Sequence, residues 1–112
     1  MQVDLRANGI EVSDSLREHT LRCLNFGLDW ANKDVDRVVI TLSDTNGPRG
    51  GNDKRCQLRI PLPRMRDVVI EEIASDLQVA ITRSVDRAAR SLERRLSRQR
   101  EFGPVPPSPT ED

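Results

Sequence analysis

The chain has 112 residues, which suffices for one domain with a single buried core but not for a second, substrate-carrying domain. Its 18 basic and 18 acidic side chains cancel, and only Phe26, Trp30 and Phe102 are aromatic. The core must therefore be aliphatic, and stacking of nucleic-acid bases on aromatic platforms is not expected.

Targeting signals and metal-site spacings are not evident in the sequence. No apolar run approaches the roughly 18 residues of a membrane span, and the opening residues lack the basic start and apolar stretch of a signal peptide. We therefore expect a cytoplasmic protein without membrane contact. The wide spacing of Cys23 and Cys56 favours two free thiols over a disulfide. Together with His19 they make no metal-site spacing, so no metal or other cofactor is expected.

The first part of the chain predicts a strand followed by a helix. Val3, Leu5 and Ala7 alternate with polar residues, which is typical of a half-buried strand. Ser13 is a good N-cap for a helix from about Asp14 to Asp29. Its predicted buried face comprises Leu16, Thr20, Cys23, Leu24, Gly27 and Leu28, which recur at helical spacing.

The middle of the chain predicts three further strands. Alternation over 38–43 and 55–60 indicates two of them, and Val68-Val69-Ile70 supplies another. Residues 44–53 are rich in turn formers and predict a long flexible loop. The short connections favour an antiparallel meander of these three strands.

A second helix is predicted from a capping box, Ser75-Asp76-Leu77-Gln78, with Ser75 as the N-cap. One apolar stripe should lie on the sheet; it consists of Leu77, Ile81, Val85, Ala88, Leu92 and Leu96. Phe102 and Gly103 mark the end of the helix. We thus expect one domain over residues 1–102 and a proline-rich tail over 103–112 that is disordered or serves as a short linear motif.

The polar side of this second helix carries a row of arginines. At about 100° per residue they fall within roughly 80° of one another, opposite the apolar stripe. The row consists of Arg83, Arg87, Arg90, Arg94 and Arg98. Asp86 and Glu93 lie on its flank, so some arginines can be paired locally.

Two interpretations of this row remain open. Any amphipathic helix needs a polar face, and arginine is a good helix former. A solvated face usually mixes charges at i and i+4, however, whereas this row repeats one sign and incurs repulsion. An anionic partner would relieve that repulsion, and the planar guanidinium suits the phosphate oxygens of folded RNA. The rival hypothesis is a protein-interaction module that binds an acidic protein partner through the row or through the open face of the sheet.

The element order, the opening Met-Gln-Val-Asp-Leu-Arg-Ala-Asn-Gly-Ile-Glu-Val-Ser-Asp-Ser-Leu-Arg-Glu and the run from Asp76 to Ile81 resemble the bacterial ribosome hibernation-promoting factors. That family is also called ribosome-associated inhibitor or sigma-54 modulation protein, and the resemblance spans about residues 1–100. It implies an α+β fold in the order β-α-β-β-β-α, with two helices on one face of a four-stranded sheet, similar to double-stranded-RNA-binding domains. It further implies binding to small-subunit rRNA in the mRNA and tRNA channel and suppression of translation in resting cells.

The resemblance also implies which residues contact rRNA. The family's basic positions fall on Arg87, Arg90, Arg94, Arg95 and Arg98, which nearly coincide with the arginine row. Arg49, Lys54 and Arg55 are candidates for supplementary contacts. The chain departs from the family pattern at Gln78, where members usually carry an aromatic residue, and in a first helix with few basic residues. It resembles the short forms, without the C-terminal module that long forms use to pair ribosomes.

Catalysis is not expected. The sequence contains no phosphate-binding Gly-x-x-x-x-Gly-Lys-Ser/Thr loop and no Gly-x-Ser-x-Gly elbow. A thiol nucleophile would need a base, which only His19 could supply. We therefore expect a non-enzymatic protein with no small-molecule substrate.

Overall fold

The computed structural model of the chain describes residues 1–44 and 53–101, with side chains through residue 98. Its elements are β1 (Gln2–Asn8), α1 (Asp14–Leu28), a 3₁₀ turn (Asp29–Ala31), β2 (Arg37–Asp44), β3 (Lys54–Ile60), β4 (Val68–Ala74) and α2 (Leu77–Glu101). The predicted α+β order is confirmed. Most of the predicted loop, residues 45–52, and the predicted tail, residues 103–112, lie outside the described residues.

The four strands form one sheet in the order β1-β2-β3-β4. β1 runs parallel to β2, with Val3 opposite Val38. A parallel pair needs a crossover connection, and α1 provides it. β2, β3 and β4 pair antiparallel, which confirms the predicted meander. β4 continues to Ala74 and is therefore longer than the predicted Val68–Ile70.

Both helices cover the same face of the sheet, and the core between them is aliphatic, as predicted. Val38, Ile40 and Leu42 of β2 are fully buried, as are Ile81 and Leu92 of α2. Alternate strand residues face the helices because successive side chains in a strand point to opposite sides. The other side of the sheet is not covered by any described element and is called the open sheet face below.

The two cysteines are free thiols, as predicted, and only one of them is fully enclosed. Cys56 lies in the core on β3, where burial raises the pKa of its thiol to about 11. A thiol with so high a pKa is protonated at neutral pH and is a poor nucleophile. Cys23 is half-buried on the side of α1 that faces α2.

The two helices approach each other closely at Gly27. A Cβ atom added there would lie 2.7 Å from Cγ1 of Val85 on α2, a distance that real Cβ contacts do not adopt. Glycine therefore allows α1 and α2 to pack at this point. The predicted buried face of α1 is otherwise confirmed, with Leu16, Thr20, Leu24 and Leu28 buried.

The N-cap of α1 is confirmed, whereas that of α2 is one residue later than predicted. The Leu16 amide donates to Oγ of Ser13 over 3.0 Å. In α2 the cap is Asp76, whose Oδ1 accepts from the Gln78 amide over 2.8 Å. Ser75 is thus not the N-cap. β4 continues to Ala74, which places Ser75 in the turn and leaves Asp76 to accept the first free amide.

Candidate nucleic-acid interface

The arginine row predicted on α2 forms a continuous exposed surface in the structure. The arginine ridge, as we call it, comprises Arg83, Arg87, Arg90, Arg94 and Arg98, and all five side chains are exposed. The apolar stripe on the opposite side of α2 holds the helix against β3, β4 and α1. Burial of that stripe fixes the rotation of the helix, so that the arginines point away from the core.

Two arginines of the ridge have carboxylate partners. Arg87 pairs with the Glu72 carboxylate and also donates to the Glu71 carbonyl oxygen over 3.1 Å, which turns it towards β4. Arg90 pairs with Asp86 one turn earlier, with 2.8 Å between Nη2 and Oδ2. The Arg90–Asp86 pair is exposed on both sides, and such pairs contribute less than about 1 kcal/mol.

The other three arginines of the ridge are unpaired. Within the described residues, no carboxylate oxygen lies within 4.0 Å of the guanidiniums of Arg83, Arg94 or Arg98. At a rise of about 1.5 Å per residue, they span roughly 22 Å of the helix. This length of the α2 surface therefore carries three positive charges that no described carboxylate pairs with.

Arg95, which the family resemblance implied as an RNA contact, occupies a different place. It is half-buried, and its Nη1 donates to the carbonyl oxygens of Arg66 and Asp67, the latter over 2.8 Å. Arg95 thus fastens the β3–β4 connection to the end of α2. It does not extend the arginine ridge in this structure.

The supplementary candidates are not assembled on the ridge either. Lys54 pairs with Asp44 over 3.1 Å. Arg55 projects from the open sheet face, where it pairs with Glu71 on the neighbouring strand. Arg49 lies outside the described residues. The described candidates therefore divide between two sides of the sheet.

Ion pairs engage the arginines on the open sheet face. Asp4 lies 2.8 Å from both Arg6 and Arg37, and Arg59 lies 2.8 Å from Asp67. Hydrogen bonds from the two guanidiniums hold the pKa of the Asp4 carboxyl below its usual value. Each of the four paired arginines on this surface, Arg6, Arg37, Arg55 and Arg59, therefore has an adjacent carboxylate, unlike the three unpaired arginines of the ridge.

Two aromatic residues are exposed on α1 and on the turn that follows it, which was not predicted from the sequence. Phe26 on α1 is 91% exposed, and Trp30, one turn later, is 49% exposed. The Trp30 Nε1 donates to the Gly27 carbonyl oxygen over 2.7 Å. A signal was available in the sequence: Phe26 follows buried Leu24 by two residues, which is about 200° around a helix.

A groove of about 300 Å³ runs between α1 and α2 beneath Phe26. Cys23 and Gly27 line it from α1, and Thr82, Val85, Asp86 and Ala89 line it from α2. At its edge, the His19 Nε2 lies 3.5 Å from the Cys23 Sγ and 3.4 Å from the Thr82 Oγ1.

His19 therefore does meet a thiol, the one condition under which the sequence left a catalytic pair open. An activated nucleophile also requires a group that orients its base. The hydrogen bonds of the described residues include none to the other nitrogen of His19. Nor do three or more His, Cys, Asp or Glu side chains come together as around a metal ion in the described ranges. No helix there is long and apolar enough to cross a membrane.

Comparisons with solved structures find the same fold in other proteins, among them the following two. The N-terminal domain of Thermus thermophilus Protein Y is 24% identical, with a TM-score of 0.65, over 84% of this chain and 98% of that one. A ribosomal subunit interface protein from Coxiella burnetii is 19% identical, with a TM-score of 0.64, over 89% of this chain and 98% of that one. No curated protein sequence is significantly similar to the chain.

The family comparison covers nearly all of the described structure. The profile of the sigma 54 modulation protein / S30EA ribosomal protein family matches residues 3–100, from β1 to the end of α2. This range includes the arginine ridge and the α1–α2 groove. The chain therefore belongs to the sigma 54 modulation protein / S30EA ribosomal protein family.

Proposed function

We propose that this protein is a ribosome-associated translation inhibitor that binds the rRNA of the small ribosomal subunit through the arginine ridge. The observation that carries the proposal is the row of Arg83, Arg94 and Arg98, exposed on one side of a rigid helix and unpaired among the described residues. Positive charge on such a surface attracts a polyanion, and guanidinium groups bind phosphate oxygens in a bidentate manner.

The zero net charge of the chain is compatible with this role. Binding to RNA depends on the local potential at the contact surface, and more distant charges are screened beyond about 8–10 Å at physiological salt. The carboxylates of the open sheet face are engaged with arginines of the same face. They therefore do little to offset the charge of the ridge.

The mechanism that fits this surface is occlusion. Phosphate contacts position a protein on RNA but carry little sequence information, so the shape of an rRNA-lined channel must contribute to specificity. A single-core domain with two helices packed on one sheet presents a rigid body to such a channel. Its bulk then excludes mRNA and tRNA from the small subunit without any chemical step.

Two comparisons support the ribosome as the target. The matched family includes ribosome-associated proteins by its description, and the structural relative from Coxiella burnetii is a ribosomal subunit interface protein. The shared fold places the last helix of this chain in a domain of the same architecture. The unpaired arginines add a physical reason for binding that is independent of those names.

The proposal is tested by co-sedimentation of the purified protein with separated ribosomal subunits at low and high salt. We expect salt-sensitive binding to the small subunit. A variant with Arg83→Gln, Arg94→Gln and Arg98→Gln should lose most of this binding. Loss of three phosphate contacts should also reduce the slope of log affinity against log salt by about 2–3.

The matched control replaces three paired arginines on the open sheet face, Arg37→Gln, Arg55→Gln and Arg59→Gln. It changes the net charge by the same amount and should leave binding nearly intact. Equal losses in both variants would show that overall charge, rather than the ridge, drives association. Binding that is insensitive to salt and to competitor RNA would instead favour the rival hypothesis of an acidic protein partner.

A further inference from the structure

Phe26 has no role in the folded core. Its side chain is 91% exposed, on the first helix of a protein whose described core contains no aromatic residue. Trp30 lies in the 3₁₀ turn that follows this helix, and its indole is held by the hydrogen bond to the carbonyl oxygen of Gly27, which lines the α1–α2 groove. Exposed aromatic rings with fixed backbone positions are the platforms on which unpaired nucleobases stack.

The groove next to Phe26 has an apolar interior and a polar edge. Gly27, Val85 and Ala89 provide its apolar surface, with the two helices in close contact where Gly27 meets Val85. The Asp86 carboxylate and the Thr82 hydroxyl lie along α2. A nucleobase has the matching chemistry, since its faces are apolar and its edge carries N–H donors.

The groove adjoins the arginine ridge. Asp86 lines the groove and also pairs with Arg90 of the ridge over 2.8 Å. A phosphate bound at Arg90 would therefore lie next to a residue that lines the groove. Unpaired Arg83 and Arg94 continue the positive surface on either side of Arg90 along the helix.

We propose that the α1–α2 groove binds an unpaired nucleobase, stacked on Phe26, from an RNA strand whose phosphates lie on the arginine ridge. This inference rests on the proposed function and adds a base-contacting site to it. Charge decides what occupies each part: the ridge attracts phosphate, whereas the Asp86 carboxylate repels an anion from the groove and accepts a hydrogen bond from a neutral base.

The size of the groove also fits one base. Its volume of about 300 Å³ is at the lower end of the range for small-molecule sites. The single-stranded, splayed-out regions of folded RNA are where such bases are available. Base stacking was not expected from the sequence because the chain has few aromatic residues. The exposure of a single ring, however, is enough to provide one stacking surface.

The test measures the affinity of the full chain for fluorescently labelled single-stranded oligoadenylate and for an abasic strand of the same length. Phe26→Ala should lower affinity for oligoadenylate about tenfold, the effect of losing one stacked base. It should leave affinity for the abasic strand unchanged, because the phosphate contacts remain. Phe26→Trp should keep the affinity, and Phe26→Leu should lose it, because leucine has no aromatic face.

Trp30 supplies a direct readout, since it is the only tryptophan in the chain. Its fluorescence should be quenched by oligoadenylate and not by the abasic strand. Val69→Ala, which removes a 53% exposed apolar side chain from the open sheet face, is the matched control and should change neither quantity. Far-ultraviolet circular dichroism and the melting temperature should be unchanged by Phe26→Ala, given the exposure of that ring.

Equal affinity of the Phe26→Ala and unmodified proteins for oligoadenylate would overturn the inference. So would full affinity of Phe26→Leu, which would indicate a site for any apolar group. If the triple arginine variant loses RNA binding while Phe26→Ala does not, the proposed function stands and only the base site is wrong. Failure of the unmodified protein to bind either strand or the small subunit would overturn both.

Discussion

The open sheet face and the arginine ridge carry the same type of side chain in opposite electrostatic states. On the sheet, the arginines of β1, β2 and β3 pair with carboxylates of the same strand, of a neighbouring strand or of the β3–β4 connection. On α2, Arg83, Arg94 and Arg98 have no such partner among the described residues. The sheet brings opposite charges together, whereas the helix repeats one charge at i, i+4 and i+7.

This difference shows how a protein with no net charge can bind a polyanion. Pairing confines the field of each sheet arginine to its immediate surroundings, and salt screens what remains. The ridge keeps three arginines that are unpaired within the described chain. Under the proposed function, local arrangement rather than composition determines which side of the molecule binds RNA.

The largest expected effect on the helical side of the molecule is at Gly27, where α1 packs against α2. Gly27→Leu should lower the free energy of unfolding by about 1–3 kcal/mol, because the new side chain collides with Val85 and separates the helices. Urea denaturation measures the effect. In a Val85→Ala background, Gly27→Ala should instead stabilise by about 0.5–1 kcal/mol, since alanine is the better helix former. The same effect of Gly27→Ala in both backgrounds would show that close packing does not select glycine.

The role of ion pairing on the open sheet face can be tested by removing its carboxylates. Asp4→Asn, Asp67→Asn and Glu71→Gln together should free four arginines, namely Arg6, Arg37, Arg55 and Arg59. We expect affinity for RNA at low salt to rise about tenfold, with a steeper salt dependence. Filter binding measures both. The increase should persist when the ridge arginines are also replaced by glutamine. No increase would mean that ion pairing is not what prevents the sheet arginines from binding RNA.

The start of the ridge helix can be tested at its N-cap. Asp76→Ala should destabilise the protein by about 1 kcal/mol, because the Gln78 amide loses its acceptor. Ser75→Ala should change stability by only a few tenths of a kcal/mol. Thermal denaturation of the two variants distinguishes the observed cap from the one that the capping box predicted. A larger loss in Ser75→Ala would contradict the structure.

The positive charge of the ridge can be increased by removing the carboxylate partner of Arg90. Asp86→Asn should raise affinity for the abasic strand about threefold, in line with the small contribution of an exposed pair. Fluorescence anisotropy at low salt is the measurement. Glu93→Gln removes an equal charge from the same helix, at a residue with no ion pair within the described chain, and should have a smaller effect. Equal increases would attribute the gain to net charge alone.

The pairing on the sheet can be read directly from Asp4. Its carboxyl pKa should lie below the usual value and return towards it in Arg6→Gln with Arg37→Gln, because the hydrogen bonds from these arginines favour the ionised form. Because the carboxyl pKa is lower in the folded than in the unfolded protein, the ionised group stabilises the fold above about pH 3.9. This stabilisation is lost as the pH falls through the pKa of the folded state. Titration followed by nuclear magnetic resonance measures it. Arg55→Gln, which affects a different pair, should leave the Asp4 pKa unchanged.

Periodicity determined most of the fold. Alternation located the strands, and the three-to-four-residue repeat of α2 correctly assigned its buried stripe, because burial of apolar surface dominates the energetics of folding. The N-cap of α2 was misplaced by one residue. Ser75 and Asp76 are both good caps, and only the extension of β4 to Ala74 decides between them.

The candidate site was likewise predictable from the sequence only in part. The sequence by itself determined the arginine ridge, because all of its members lie on one helix whose rotation is fixed by its apolar stripe. It could not determine which arginines are paired, since the partners of Arg87 and Arg95 lie on β4 and on the connection before it. The α1–α2 groove with Phe26 at its edge was also decided only by tertiary packing. Two helices far apart in the chain must meet before a groove exists.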